Sequence, residues 1–273
     1  LSRLAASLDS MDGLERHRQH FYNWYDTQTL EPLRPHYVST VDSGNLAGLL
    51  LTLSTGTAQL ADAPMFGPAV IMGLRDTLDI LADSQRASGA NEHVLNQLRK
   101  DVEEVSHAAT AEALADLLHT ARIMVTNTSA DTDEESLYWR EVFIRQCIDW
   151  AEELLRYQLP APLVTPQSPS YTLRQLASLN TADWAAEHHP RIEQVRSVAE
   201  QRLETLKRLA LSAASLAQMD FSLLYDNKRD LFVIGYNAEE RRLDTGYYDL
   251  LASEVRLTNY VAIAQGQIPQ RAW

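Results

Sequence analysis

Hydrophobic positions in this chain recur mostly at helical spacing. Leu4, Leu8, Met11 and Leu14 follow one another at intervals of four and three, predicting an amphipathic helix over 1–24 that runs into the aromatic cluster FYNWYD. Pro32 and Pro35 make the following TQTLEPLRPHYVSTVDSGN extended or turned. Asp42 or Ser43 is placed to cap the next helix, NLAGLLLTLSTGTAQLA, whose Ala47 and Gly48 permit a neighbouring backbone to come close. From about 66 to 158 the pattern is almost wholly helical. It comprises GPAVIMGLRDTLDILADSQ, a long stretch from a cap at Asn91 to Val125 that forms one helix or two, and DEESLYWREVFIRQCIDWAEELLRYQL, which Pro160 stops. Residues 160–170, PAPLVTPQSPS, hold four prolines and read as a linker. Helices resume in YTLRQLASL and in the long RIEQVRSVAEQRLETLKRLALSAASLAQ. The strong strand signal is late: FSLLYDNKRDLFVIGYN, residues 221–237, alternates on both sides of a polar turn and predicts a hairpin.

One more helix opens in YYDLLASEVRL, residues 247–257, with Asp249 as its cap. A start at Leu250 would put Leu250, Glu254, Leu257 and Val261 on one stripe, three of the four apolar. A carboxylate in the middle of a core-facing stripe needs a reason.

Composition narrows the classes. The 45% apolar content supports a real core, and a formal charge of -13 argues against nucleic acid, whose phosphates need basic patches. The acidic run DTDEE at 131–135 reads as a solvated loop and helix cap. The single cysteine, Cys147, allows no internal disulfide and sits in a helical pattern as a small buried hydrophobe. No apolar run approaches the roughly 18–20 residues of a spanning helix, and residues 1–20 lack a signal-peptide core. The start at Leu1 and the end in IPQRAW read as cuts from something longer.

Metal, nucleophile and phosphate motifs find little support. Glu104-Val-Ser-His107 is half of a carboxylate-bridged di-iron motif without its second copy, and reads as a solvated helix face. His188 and His189, before Pro190, read as surface residues at a helix start. Neither G-x-S-x-G nor a phosphate-loop spacing occurs. What remains is two groups of aromatics, carboxylates and amides that precede or open helices. One is Trp24, Tyr25, Asp26, Asp42 and Asn45; the other is Tyr236, Asn237, Asp244, Tyr247, Tyr248, Asp249 and Glu254. Flat aromatic faces beside carboxylates suit sugars, and a buried glutamate would have the raised pKa that glycosidic acids exploit. Ordinary core aromatics, with Glu254 paired to an arginine, explain the same residues equally well.

Two long stretches carry a resemblance. RHRQHFYNWYDTQTLEPLRPHYVSTVDSGNLAG and LYDNKRDLFVIGYNAEERRLDTGYYDLLASEVRLTNYVAIAQGQIPQRAW resemble the middle region of bacterial cyclic β-1,2-glucan synthases. The likeness is close over 14–53 and 220–273, whereas about 66–215 resembles the family only in position and helical character. The resemblance implies a very large inner-membrane enzyme, this segment lying on the cytoplasmic side without touching the membrane. One part of such an enzyme builds β-1,2-glucan from UDP-glucose, a glycoamylase-like middle part cyclises it, and a phosphorylase-like part adjusts chain length. This segment would then hold no cofactor of its own, and its partners would be the glucan chain and other domains of the same polypeptide.

The architecture so implied is mainly α: a partial (α/α)6 barrel with an inserted helical bundle and one β-hairpin. Residues 1–65 would supply the first barrel helices and a cleft loop, 66–215 the bundle, and 216–273 the hairpin and catalytic-motif helix. Retaining transglycosylation needs two carboxylates about 5–5.5 Å apart. The resemblance makes Glu254 one of them, as nucleophile, with the second beyond Trp273 and the isolated piece inactive. Two other readings stand beside it: a helical glucan-binding or scaffold module, and a phosphorolytic enzyme, for which no basic phosphate pocket is evident.

Overall fold

The computed structural model describes residues 1–86, 92–108, 116–117, 119–120, 134–160, 171–249 and 254–273. The protein is mainly α-helical with a few short strands, and it divides into two compact units. The first comprises Leu1–Gln59 and Glu204–Trp273, the second Leu60–Leu203. Asn91, most of 160–170 and Leu250 lie outside the described residues.

The second unit is built on α3 (Pro68–Arg86), α4 (Glu92–Ala108) and α5 (Glu134–Tyr157). Ile71, Leu74, Leu78 and Leu81 repeat at three and four, as do Leu95, Leu98, Val102 and Val105, so each helix buries one stripe. Phe143 and Cys147, one turn apart on α5, complete that core. Glu134 and Glu135 open α5 exposed, where the helix dipole favours negative charge. The short helix α6 (Leu173–Ala177) starts from a capping box in which Thr172 and Gln175 satisfy each other's backbone N–H groups. Arg174 grips Asp62 through two nitrogens, at 2.7 and 3.1 Å.

The first unit starts with α1 (Ser2–Asp12), shorter than its apolar spacing predicted. Gly13 ends it, and Leu14 does not continue the helix. The chain instead turns into a hairpin, β1 (Arg16–His17) against β2 (His20–Phe21). Its two turn residues, Arg18 and Gln19, both have positive φ, 49° and 68°. That is the backbone of a tight hairpin turn, built here without the glycine or asparagine that usually announces one. Asp220 holds it: its N–H donates to the Arg18 carbonyl, and its carboxylate pairs with the Arg18 guanidinium at 3.1 Å.

Strand β3 (Tyr37–Ser39) leads into α2 (Thr40–Gln59). The cap is Ser39, whose Oγ accepts the Asp42 N–H; Asp42 and Ser43 therefore lie inside the first turn rather than capping it. The helix α7 (His189–Leu216) contributes its residues from Glu204 onward to this unit.

The expected hairpin is present as β4 (Tyr225–Asp226) against β5 (Leu231–Phe232), preceded by a 3-10 turn at Phe221–Leu224. It has company. Strand β6 (Gly235–Asn237) turns back into β7 (Arg242–Leu243) and pairs on its other side with β3. Both hairpins share a device: Asp226 and Asn237 accept the N–H groups two and three residues on, fixing each turn.

Last comes α8 (Val255–Ala264), which packs against α2. Val41, Ala47, Leu50, Leu209, Leu216, Phe221, Phe232, Val255 and Val261 form one core with it. The predicted stripe through Glu254 does not hold. Glu254 is exposed at the helix N-terminus and Leu257 is 39% exposed, whereas Val255, Thr258, Asn259, Val261 and Ala262 face inward. The buried face is centred on Val255, Thr258, Asn259 and Ala262, which leaves the Glu254 and Leu257 positions at its edge.

Candidate functional site

Three segments carry carboxylates whose charges act on one tyrosine. The β3–β6–β7 sheet sets the first: Asp244 follows β7, and its N–H donates to the Gly235 carbonyl at 3.0 Å. Its carboxylate Oδ2 accepts a hydrogen bond from the Tyr37 hydroxyl, across the sheet from β3. Asp42 stands exposed in the first turn of α2, and Glu254 stands exposed at the start of α8. Both occupy helix N-termini, where the backbone dipoles favour a negative charge.

Tyr248 lies within electrostatic range of all three. It is half-buried, and its N–H donates to the Phe232 carbonyl at 3.0 Å. Burial raises its phenol pKa, and the charges of Asp42, Glu254 and Asp244 raise it further. Tyr37 is pushed up in the same way, by burial, by its bond to Asp244 and by the charges of Asp244 and Asp42, with Tyr248 alongside. Both phenols therefore stay protonated at neutral pH, Tyr37 with its hydroxyl already given to Asp244 and Tyr248 beside carboxylates that accept. Such a set can bind several hydroxyls of one neutral polyol at once.

The nearby arginines are engaged elsewhere: Arg242 with Glu240, Arg229 with Asp226 and the Tyr247 ring, and Arg256 over the Trp273 ring. Among the described residues no arginine pairs with Glu254, so the alternative of a simple ion pair finds no support there. Glu254 also lacks the burial on which a desolvated carboxylic acid would depend.

Several other candidates prove to hold the scaffold. The Asp26 carboxylate accepts the Gln28 and Thr29 N–H groups, both at 2.8 Å, which closes a turn and pulls its pKa down. Tyr25 spends its hydroxyl on the Glu15 carbonyl and the Tyr22 N–H. Tyr236 stacks on His17, centroids 5.0 Å apart. The Tyr247 hydroxyl donates to Asp226 at 2.9 Å, and its ring lies under the Arg229 guanidinium. Asn45 is half-buried one turn into α2, Asp249 is exposed, and Trp24 shows an indole that is 49% exposed. Tyr37 was not among the sequence candidates. The one cue in the sequence was proximity, since HYVSTVD puts Tyr37 five residues before Asp42.

All the candidate residues lie in the first unit. Among the described residues no group of three or more histidine, cysteine, aspartate or glutamate side chains is arranged to hold a metal ion. No described helix is long and apolar enough to cross a membrane.

No protein-family model matches the sequence. A curated protein does, over the whole chain: the cyclic beta-(1,2)-glucan synthase NdvB of Rhizobium meliloti (strain 1021), at 33% identity over 291 aligned positions. The chain is related to a segment of a cyclic β-(1,2)-glucan synthase. It covers 9% of that synthase's length. The likeness first visible in two motifs thus extends through the helical stretch between them, and the synthase carries a counterpart of both units.

Proposed function

We propose that this chain forms part of the transglycosylating, glycoamylase-like region of a cyclic β-1,2-glucan synthase, where linear glucan is closed into rings with retention. What supports the reading is the relation of the chain, throughout its length, to such a synthase, with Tyr248 in the field of Asp42, Asp244 and Glu254. Glucose units offer rings of hydroxyls, and the site offers carboxylate acceptors together with the Tyr248 hydroxyl.

Retention requires a nucleophilic carboxylate and a second that serves as acid, then base. Glu254 takes the nucleophile's part: exposure keeps it available, and the start of α8 gives it a positive backbone environment. The second carboxylate comes from a further segment of the longer synthase. In that protein the segment faces the cytoplasm at the inner membrane, with UDP-glucose consumed by another domain.

Replacing Glu254 with Gln in the full-length synthase tests this. Cyclic glucan should disappear while linear glucan continues to accumulate. Rings formed at the wild-type rate would remove Glu254 from the chemistry.

A non-catalytic role suits the second unit better. It has its own closed core of α3, α4 and α5 and contributes none of the candidate residues, which favours a bracing or glucan-holding function for that part.

A further inference from the structure

The contact between Tyr37 and Asp244 is built with unusual closeness. Gly235 lies directly beneath the Tyr37 ring: a Cβ added there would stand 2.2 Å from the Tyr37 hydroxyl oxygen, 2.4 Å from its Cζ and 2.5 Å from the Val38 carbonyl oxygen. Only glycine leaves room for the phenol in this position. The same Gly235 accepts the Asp244 N–H through its carbonyl, so backbone and side chain of Asp244 are both fixed to one point of the sheet. Such double tethering leaves the carboxylate little freedom to rotate.

We propose that Tyr37 is a positioning residue of the candidate site: seated over Gly235, it holds Asp244 by Oδ2 and so presents Oδ1 as a fixed acceptor for a glucan hydroxyl. The inference rests on the glucan reading above and adds a residue and an atom to it. A carboxylate oriented in advance loses less freedom when it binds, so its hydrogen bond contributes more to affinity than that of a mobile one. Asp42 and Tyr248 sit close enough to act on Tyr37, which places the held carboxylate among the other candidate groups and not on a remote face.

The test is calorimetric titration of the full-length synthase with a linear β-1,2-gluco-oligosaccharide, using Tyr37→Phe, Asp244→Asn, the double variant and Gly235→Ala. Removing the hydroxyl should weaken binding about tenfold, or about 1.4 kcal/mol. Adding Tyr37→Phe to Asp244→Asn should cost nothing more, because Tyr37 acts through Asp244. Gly235→Ala, which pushes the ring aside, should reproduce the Tyr37→Phe loss. A Tyr37→Phe chain that binds as tightly as wild type, or losses that simply add, would overturn the proposal. If Asp244→Asn leaves glucan binding by the synthase unchanged, the glucan reading of this site fails, and the role of Oδ1 with it.

Discussion

Gly44 of α2 and Thr258 of α8 touch so closely that no side chain fits between them. A Cβ on Gly44 would lie 1.9 Å from Thr258 Oγ1, 2.5 Å from its Cβ and 2.7 Å from its Cα. The Thr258 hydroxyl reaches on to the Thr40 carbonyl at 3.3 Å, and the Thr40 hydroxyl to the Val233 carbonyl at 2.7 Å. Gly44 stands two residues after Asp42, and Thr258 four after Glu254. This crossing therefore sets the spacing of two candidate carboxylates.

Gly44→Ala should destabilise the chain by roughly 1–3 kcal/mol, read as a lower urea midpoint with an unchanged slope. Trimming Thr258 to Ala should not restore it, because its backbone Cα alone blocks the new methyl. Gly48→Ala should cost less, since the nearest atom there is the Leu257 Cδ2 at 3.1 Å, the end of a side chain that can move. Equal losses at the two glycines would mean that the helices slide to accommodate either.

A pH dependence follows from His20. It is fully buried, with Nε2 2.8 Å from the Asp220 carbonyl and Nδ1 3.0 Å from Ser43 Oγ. A carbonyl can only accept, so Nε2 carries the proton and Nδ1 accepts from the serine in the neutral ring. Burial lowers its pKa below the ordinary 6.5 and the nearby His17 lowers it further, against the opposing pull of Asp220. The folded state thus takes up this proton less readily than the unfolded one. Stability should be full above about pH 6.5 and fall as the pH drops below it, by at most about 1.4 kcal/mol per pH unit. His20→Gln keeps one donor and one acceptor and should flatten that slope between pH 6.5 and 5. An unchanged slope would assign the effect to other groups.

Cys147 gives a probe of the second unit. It is fully buried, and burial pushes its thiol up to about 12. At pH 8 only about one molecule in ten thousand would carry a thiolate, and that one is shielded. An aromatic disulfide reagent should release no chromophore from the native chain and one equivalent in denaturant. Fast labelling without denaturant would show that the α3–α4–α5 core opens readily.

Helices were legible in the sequence because their stripes are long: Leu74, Leu78 and Leu81 face one way whatever surrounds them. Boundaries were not. The apolar run of α1 continues to Leu14, but Gly13 and the Arg18–Gln19 turn end it, and that turn depends on tethering by Asp220, a residue two hundred positions away. The strands β3 and β6 are too short to show alternation, so the sheet that joins Tyr37 to Asp244 exists only as a tertiary pairing. For the same reason the sequence pointed to Asp244, Tyr248 and Glu254 by their company but missed Tyr37. It also placed Glu254 inside, whereas the buried face set by Thr258 against Gly44 leaves that position at its edge.

Trp24 and Tyr247 were proposed together as sugar platforms, and their surroundings now separate them. Trp24 is 49% exposed, which leaves side-chain area for a pyranose to cover. Covering an aromatic face contributes about 1–2 kcal/mol. Trp24→Ala should therefore weaken binding of linear β-1,2-glucan roughly tenfold, with little change in the melting midpoint. Tyr247 already has both partners inside the fold: the Asp226 carboxylate at its hydroxyl and the Arg229 guanidinium 4.7 Å from its ring centre. Tyr247→Ala should loosen the β4–β5 turn and lower the melting midpoint by several degrees, leaving glucan affinity within about twofold once measured well below that midpoint. The reverse pattern, affinity lost at Tyr247 and retained at Trp24, would move the sugar-binding face from the Trp24 loop to the hairpin.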